Sequence, residues 1–216
     1  MGAGLEGKRV GAWMGIAFVV LFVVGFLVFP TPQDTNDAKW DTWWTDSGHR
    51  VGAVIGAYLM VFGLLAFVWF MWSLCARFRD GAGMAITFGS LFVGIVLVSV
   101  LIRAAIPGGK QFGDQELPQQ LRDWSMQLSN IGFGLMLVAG AMAAGAFTAV
   151  VSYLSRRDAI LPNWLTIVGY VVAVLQIASG TFFPFVVFVL WVLVVSIVLV
   201  KRGSRVETSA AVASSV

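Results

Sequence analysis

Charge is what this sequence has least of. Asp, Glu, Lys and Arg make up 12% of its 216 residues, and 59% are hydrophobic. A soluble domain carries about 25% charged and roughly 45–50% apolar residues, so this chain cannot coat a surface that faces water. Intrinsic disorder is excluded by the same figures, since it needs low hydrophobicity and high charge. Cysteine is reduced to Cys75, which rules out an internal disulfide framework and any multi-cysteine metal or iron–sulfur site. With His49 as the single histidine, one chain cannot supply a bis-histidine haem or a multi-histidine metal cage. No Asp or Glu falls inside an apolar run. Proton- and ion-coupled carriers place ionisable groups at depth, so a coupled pump is not expected. A phosphate-binding glycine loop, a paired Asp cluster and a Gly-x-Ser-x-Gly elbow are all missing, and no cofactor or metal is expected.

What is present is long apolar runs. A helix crosses the hydrocarbon core with about 20 predominantly apolar residues, and runs of that kind cover 11–29, 51–72, 84–106 and 131–153. A last stretch over 164–200 is too long for one helix and is interrupted at Ser179, Gly180 and Pro184; such residues favour a turn, so it reads as two spans, 164–179 and 184–200. The expected fold is all-α: a polytopic bundle of six transmembrane helices over residues 1–205, with 206–216 as a disordered tail. The first run exceeds the roughly 7–15 residues of a signal-peptide core, and Phe29-Pro30-Thr31-Pro32 is no small-x-small cleavage site. It reads as a retained helix.

Orientation follows from Lys and Arg in the short loops. With the N-terminus cytoplasmic, Lys8, Arg9, Arg77, Arg79, Arg156, Arg157, Lys201, Arg202 and Arg205 lie inside. Lys39, Arg50, Arg103, Lys110 and Arg122 lie outside, with Asp34, Asp37, Asp41, Asp46, Asp114, Glu116 and Asp123. Both termini are therefore expected in the cytoplasm, in a cell inner (plasma) membrane. The net charge of +3 is a topology signal, and no nucleic-acid partner is expected. Trp13, Trp72 and Trp164 fall at the inner interface, Trp40, Trp43, Trp44 and Trp124 at the outer one, the depth such rings prefer. The cluster Trp40-Trp43-Trp44 among Asp residues reads as an interfacial anchor or as a platform for a carbohydrate or partner.

Lipid offers no hydrophobic drive between helices, so close packing needs small residues. The fourth span has them on nearly every face, from Gly132 to Ala149, and is expected to be central. Gly52-x-x-x-Gly56 and Ser90-x-x-x-Gly94 serve either packing within the chain or oligomerisation. Ahead of the fourth span, Leu117, Leu121, Trp124, Leu128, Ile131 and Leu135 form one helical seam, and Pro118 suits a first turn. A helix over 118–153 would extend roughly 54 Å against a core of roughly 30 Å. The closing hairpin over 163–200 has only about 57 Å for two crossings. Gln176, Ser179 and Thr181 stand near its apex to bond the backbone there. A long helix beside a short hairpin predicts a hollow at outer-leaflet depth.

Arg103 is the charged residue inside a span, about a turn from its outer end. It either snorkels to the interface or pairs with Asp123 or an anionic head group in the hollow. Gln127, Asn130 and Gln176 fall at similar depth, where polar side chains either bond neighbouring helices or face a ligand. The candidate ligand-binding set is Arg103, Asp123, Gln127, Asn130 and Gln176, with no catalytic residue assigned. His49 has no Ser, Cys or acid arranged with it, and reads as part of a helix start capped by Asp46 or Ser47.

Leu161-Pro162-Asn163-Trp164-Leu165, and Trp191-Val192-Leu193-Val194 ahead of Lys201-Arg202, resemble a pattern in small six-span bacterial membrane proteins, mainly actinobacterial, grouped as a domain of unknown function. The resemblance covers most of the chain in hydropathy and the last third in residues. It implies the six-span fold and no particular activity. The expected function is a non-catalytic integral membrane protein that packs with a membrane partner or a second copy, or binds a lipid or small amphipathic ligand in the outer-leaflet hollow. An uncoupled small-molecule transporter or channel is the alternative, and an intramembrane lipid-modifying enzyme using His49, Asp46 or Asp123 the third.

Overall fold

The structure is a computed structural model that describes residues 2–32, 37–113, 124–178 and 182–213. Among these every regular element is a helix: α1 (Gly2–Val28), the short α2 (Asp37–Trp43), α3 (Ser47–Cys75), α4 (Ala82–Phe112), α5 (Ser125–Arg157), α6 (Asn163–Ala178) and α7 (Phe182–Ala213). In lipid a helix satisfies all its backbone groups within one segment, which is why uninterrupted apolar sequence takes this form. Five helices, α1, α3, α4, α5 and α7, are long and apolar enough to cross a membrane, and the chain is a multi-pass membrane protein. Its outward faces carry Phe62, Leu65, Trp69, Leu101 and Val174, each more than half exposed, a surface suited to acyl chains. In the last apolar stretch one helix ends at Ala178 and the next begins at Phe182, so Pro184 is not part of the break but stands in the first turn of α7, where its missing N–H costs no helical bond; Ser179, Gly180 and Thr181 lie outside the described residues. At 16 residues, α6 extends about 24 Å. The other arm, α7, stays helical through Ala213, into the stretch read from sequence as a tail. Helix α5 is described from Ser125, so the proposed start at Pro118 lies outside the described residues.

Neighbouring helices run antiparallel, as close contacts along them show. Gly11 of α1 lies against Ser73 of α3 and Gly25 against Gly56. Gly89 of α4 meets Met71 of α3 and Phe147 of α5, while Gly132 of α5 meets Ser99 and Arg103 of α4. Gly145 of α5 faces Gln176 of α6, and Gly15 of α1 faces Ser196 of α7. A β-carbon on Gly56 would stand 2.7 Å from the Gly25 carbonyl oxygen, so this pair sets how near α1 and α3 approach. By contrast Gly94 has open space where its side chain would be. Gly56 thus packs within the chain, whereas Ser90 and Gly94 face outward.

The bundle interior is a phenylalanine cluster drawn from five helices. Phe67 of α3 sits 5.0 Å from Phe18, 5.2 Å from Phe92, 5.4 Å from Phe147 and 6.1 Å from Phe188, centroid to centroid. Each such pair contributes about 0.5–1.5 kcal/mol beyond its buried area. Between its α-helical arms Ser125–Leu135 and Ala141–Arg157, α5 makes a π-helical turn at Met136–Gly140. That wider turn rephases the face bearing Ser129 and Gly132 relative to the one bearing Ala144 and Phe147.

At the end of the bundle that holds the α3–α4 and α5–α6 loops, Asp158 ties the two together. It accepts from Arg157 Nε at 2.8 Å and from the Arg79 backbone N–H at 3.0 Å. These two hydrogen bonds, Arg157 first, hold its carboxyl down at about 2. Arg157 Nη2 also donates to the Asp80 carbonyl at 2.7 Å, and Arg202 donates to the Ile160 carbonyl.

Candidate functional site

At the opposite end, α1, α2, α4 and α5 surround a cavity of about 620 Å³. Its floor is built around one close approach. A side chain on Gly132 would stand 2.7 Å from Arg103 Cγ and 2.8 Å from the Ser99 carbonyl oxygen, so glycine lets α5 lie directly on α4 at Arg103. Ser99 Oγ donates to the Gly132 carbonyl at 2.6 Å and pins the contact. Pro107 sits inside α4 and has no N–H to give to the Arg103 carbonyl four residues back. The wall opposite comes from the end of α1: Phe29 closes the helix by donating its N–H to the Gly25 carbonyl at 3.0 Å, and the non-helical Pro30-Thr31-Pro32 segment follows.

Arg103 is 6% exposed. It does not snorkel. Its guanidinium carbon lies 4.7 Å from the Phe29 ring centroid, 5.4 Å from Phe133 and 5.8 Å from Phe26, a collar of ring faces that attracts a cation. Nη2 reaches Thr31 Oγ1 at 3.4 Å, a long contact. Nε and Nη1 are buried with no hydrogen-bond partner among the described residues. The cavity is lined by four polar side chains, Arg103, Thr31, Ser129 and Asn130, against an otherwise apolar wall that includes Phe26, Met126 and Trp40.

The sequence-derived set divides on the structure. Arg103 and Asn130 meet in the cavity; Gln127 is exposed and does not line it. Gln176 is 1% exposed on α6 and packs against Gly145 of α5, away from the cavity. Asp123 lies outside the described residues. Sequence reasoning missed Thr31, Ser129 and the collar of Phe26, Phe29 and Phe133. Ser129 carried a usable signal, since it falls on the same helical face as Gly132. The phenylalanines carried none, because an aromatic facing lipid and one facing Arg103 look alike in sequence.

The tryptophan reading is corrected. Trp40 and Trp44 are 5% and 2% exposed, turned inward rather than to the interface: Trp40 lines the cavity and Trp44 joins the hydrophobic core. Trp43 stacks flat on His49, centroids 3.8 Å apart and planes 2° from parallel, and His49 Nδ1 is 3.1 Å from the Trp43 carbonyl oxygen. Trp13, Trp72, Trp124 and Trp164 are at least half exposed, as interfacial rings are. Asp46 caps α3, accepting from the Gly48 N–H at 2.7 Å. Among the described residues no cluster of His, Cys, Asp and Glu is arranged to hold a metal.

No protein-family model matches the chain, and no curated protein or solved structure matches it either. The chemistry of the cavity therefore carries the functional reading. One permanent cation, three neutral polar groups and an aromatic wall can orient a molecule that is polar at one end and apolar along the rest.

Proposed function

We propose that this chain is a six-span protein of the plasma membrane, with both termini cytoplasmic, that catalyses no reaction and binds an amphipathic small molecule in the cavity around Arg103 at outer-leaflet depth. The observation that carries this reading is a buried guanidinium in the lining of a cavity of about 620 Å³, within the roughly 300–1,000 Å³ of ordinary ligand sites. In the six-span arrangement α6 is the short arm of the closing hairpin. The basic residues of the α3–α4 and α5–α6 loops then face the cytoplasm, by the preference of Lys and Arg for that side. Binding is favoured over conduction by the packed phenylalanines Phe67, Phe92, Phe147 and Phe188, which occupy the interior where a polar path would run. His49 is engaged with Trp43, which favours a structural role for it over a catalytic one.

Native mass spectrometry after extraction in a mild detergent tests the reading. Wild type is expected to retain one amphiphile per chain, and Leu27→Trp at the cavity mouth to retain less. Loss of every bound species under all extraction conditions would count against it. Solute flux through reconstituted vesicles that Arg103→Gln abolishes would replace it with the transporter.

A further inference from the structure

Among the described residues the cavity holds a charge without a counter-charge. A guanidinium is ionised at any pH a protein meets, and burying an unpaired ion is strongly unfavourable unless an opposite charge approaches. No Asp or Glu lines the cavity among the described residues; Thr31, Ser129 and Asn130 are neutral. The Phe29, Phe133 and Phe26 rings cover the guanidinium and seal off Nε and Nη1, and their quadrupoles offset only part of a full charge. Nη2 makes the long contact to Thr31 Oγ1 at 3.4 Å, and Thr31 lines the cavity, so this is the edge of the guanidinium nearest the cavity's polar side chains.

The mouth says how a ligand arrives. Leu27, on the last turn of α1, belongs to the cavity lining and is 76% exposed. Thr31 and Asn130 of the lining are exposed as well. The cavity is thus open along an edge that runs from the apolar Leu27 to these two polar side chains.

Resting on the reading that the cavity holds an amphiphile, we infer that its ligand is anionic: an alkyl chain ending in an oxyanion, carboxylate or phosphate. The head group sits against Arg103 Nη2 and takes further hydrogen bonds from Thr31, Ser129 and Asn130. The chain leaves past Leu27 toward the acyl region of the bilayer. The anion supplies the missing counter-charge, and an Arg–oxyanion bond is roughly twice as strong as a neutral one.

Purified protein in a neutral maltoside detergent would be titrated with hexadecanoate, hexadecyl phosphate, hexadecanol and inorganic phosphate, with binding read by displacement of a fluorescent fatty acid and by thermal shift. Wild type is expected to bind the two anionic amphiphiles at least about tenfold more tightly than the alcohol. Arg103→Gln is expected to erase that preference and Arg103→Lys to keep part of it. Leu27→Trp, which leaves the charge in place, is expected to weaken hexadecanoate at least about tenfold, and it keeps the test open if Arg103→Gln does not fold. Equal binding of anions and alcohol would overturn the anionic head group while leaving the amphiphile reading standing; binding of none would sink both. Inorganic phosphate stabilising the protein as well as hexadecyl phosphate would make the ligand a free anion and overturn the alkyl chain. A preference that survives Arg103→Gln would place the head group elsewhere.

Discussion

Arg103 is costly where it stands. Replacing even a buried ion pair by apolar side chains of similar volume is often neutral or stabilising by about 1–4 kcal/mol, and a buried cation without a partner has less attraction to lose. We therefore expect Arg103→Met to raise the melting temperature of the ligand-free protein in detergent while losing the response to anionic amphiphiles. A lowered melting temperature would mean that a carboxylate of the chain, such as Asp123, already neutralises the guanidinium. The residue itself was visible in the sequence as the charge inside a span. That it turns inward was not visible, because an arginine one turn from a helix end has the reach either to snorkel or to fold under its neighbours. The choice fell to the three phenylalanines around it, which come from α1 and α5 and lie far from it in the chain. Trp40 and Trp44 show the converse: their composition and position fit the interface, yet both are turned inward.

Among the helices, two copies of the same spacing have opposite fates. Gly56 is pressed against the Gly25 carbonyl, with backbone on both sides, while Gly94 has nothing within 4 Å of its missing side chain. Gly56→Val is expected to destabilise by about 1–3 kcal/mol through overpacking, and Gly94→Val to stay within about 0.5 kcal/mol, both measured as unfolding in detergent. A loss at Gly94 as large as that at Gly56 would mean that the outward face of α4 is covered by a partner or a second copy. Sequence could not separate them. In lipid both faces of a helix are apolar, so the periodicity that marks a buried face in water is lost. That the chain folds as a set of long apolar helices was legible because it depends on apolar length; the short α2 was not. The π turn at Met136–Gly140 was not, because Met136-Leu137-Val138-Ala139-Gly140 would equally make ordinary α-helix.

For the whole molecule, the single buried Cys75 lets the orientation of the bundle be read by thiol labelling. In a Cys75→Ala background, Thr45→Cys and Arg156→Cys place one exposed thiol at each end of the bundle. A membrane-impermeant maleimide is expected to label Thr45→Cys on intact cells and Arg156→Cys only after permeabilisation. The reverse pattern would invert the topology, and labelling of both from one side would contradict the three crossings, α3, α4 and α5, that separate them. The end that holds the α3–α4 and α5–α6 loops has its own reinforcement in the Asp158 tie between them.

The sequence by itself determined that this chain lives in a bilayer as helices, because apolar length and scarce charge leave the backbone no other way to satisfy its hydrogen bonds there. It also determined where the charge lies along the chain, since loops and ends are where lipid tolerates it. Only the tertiary structure decided which glycines touch, which rings enclose Arg103 and where the cavity opens. Those are relations between residues far apart in the chain, and helices that are apolar all round leave them to shape complementarity rather than to pattern.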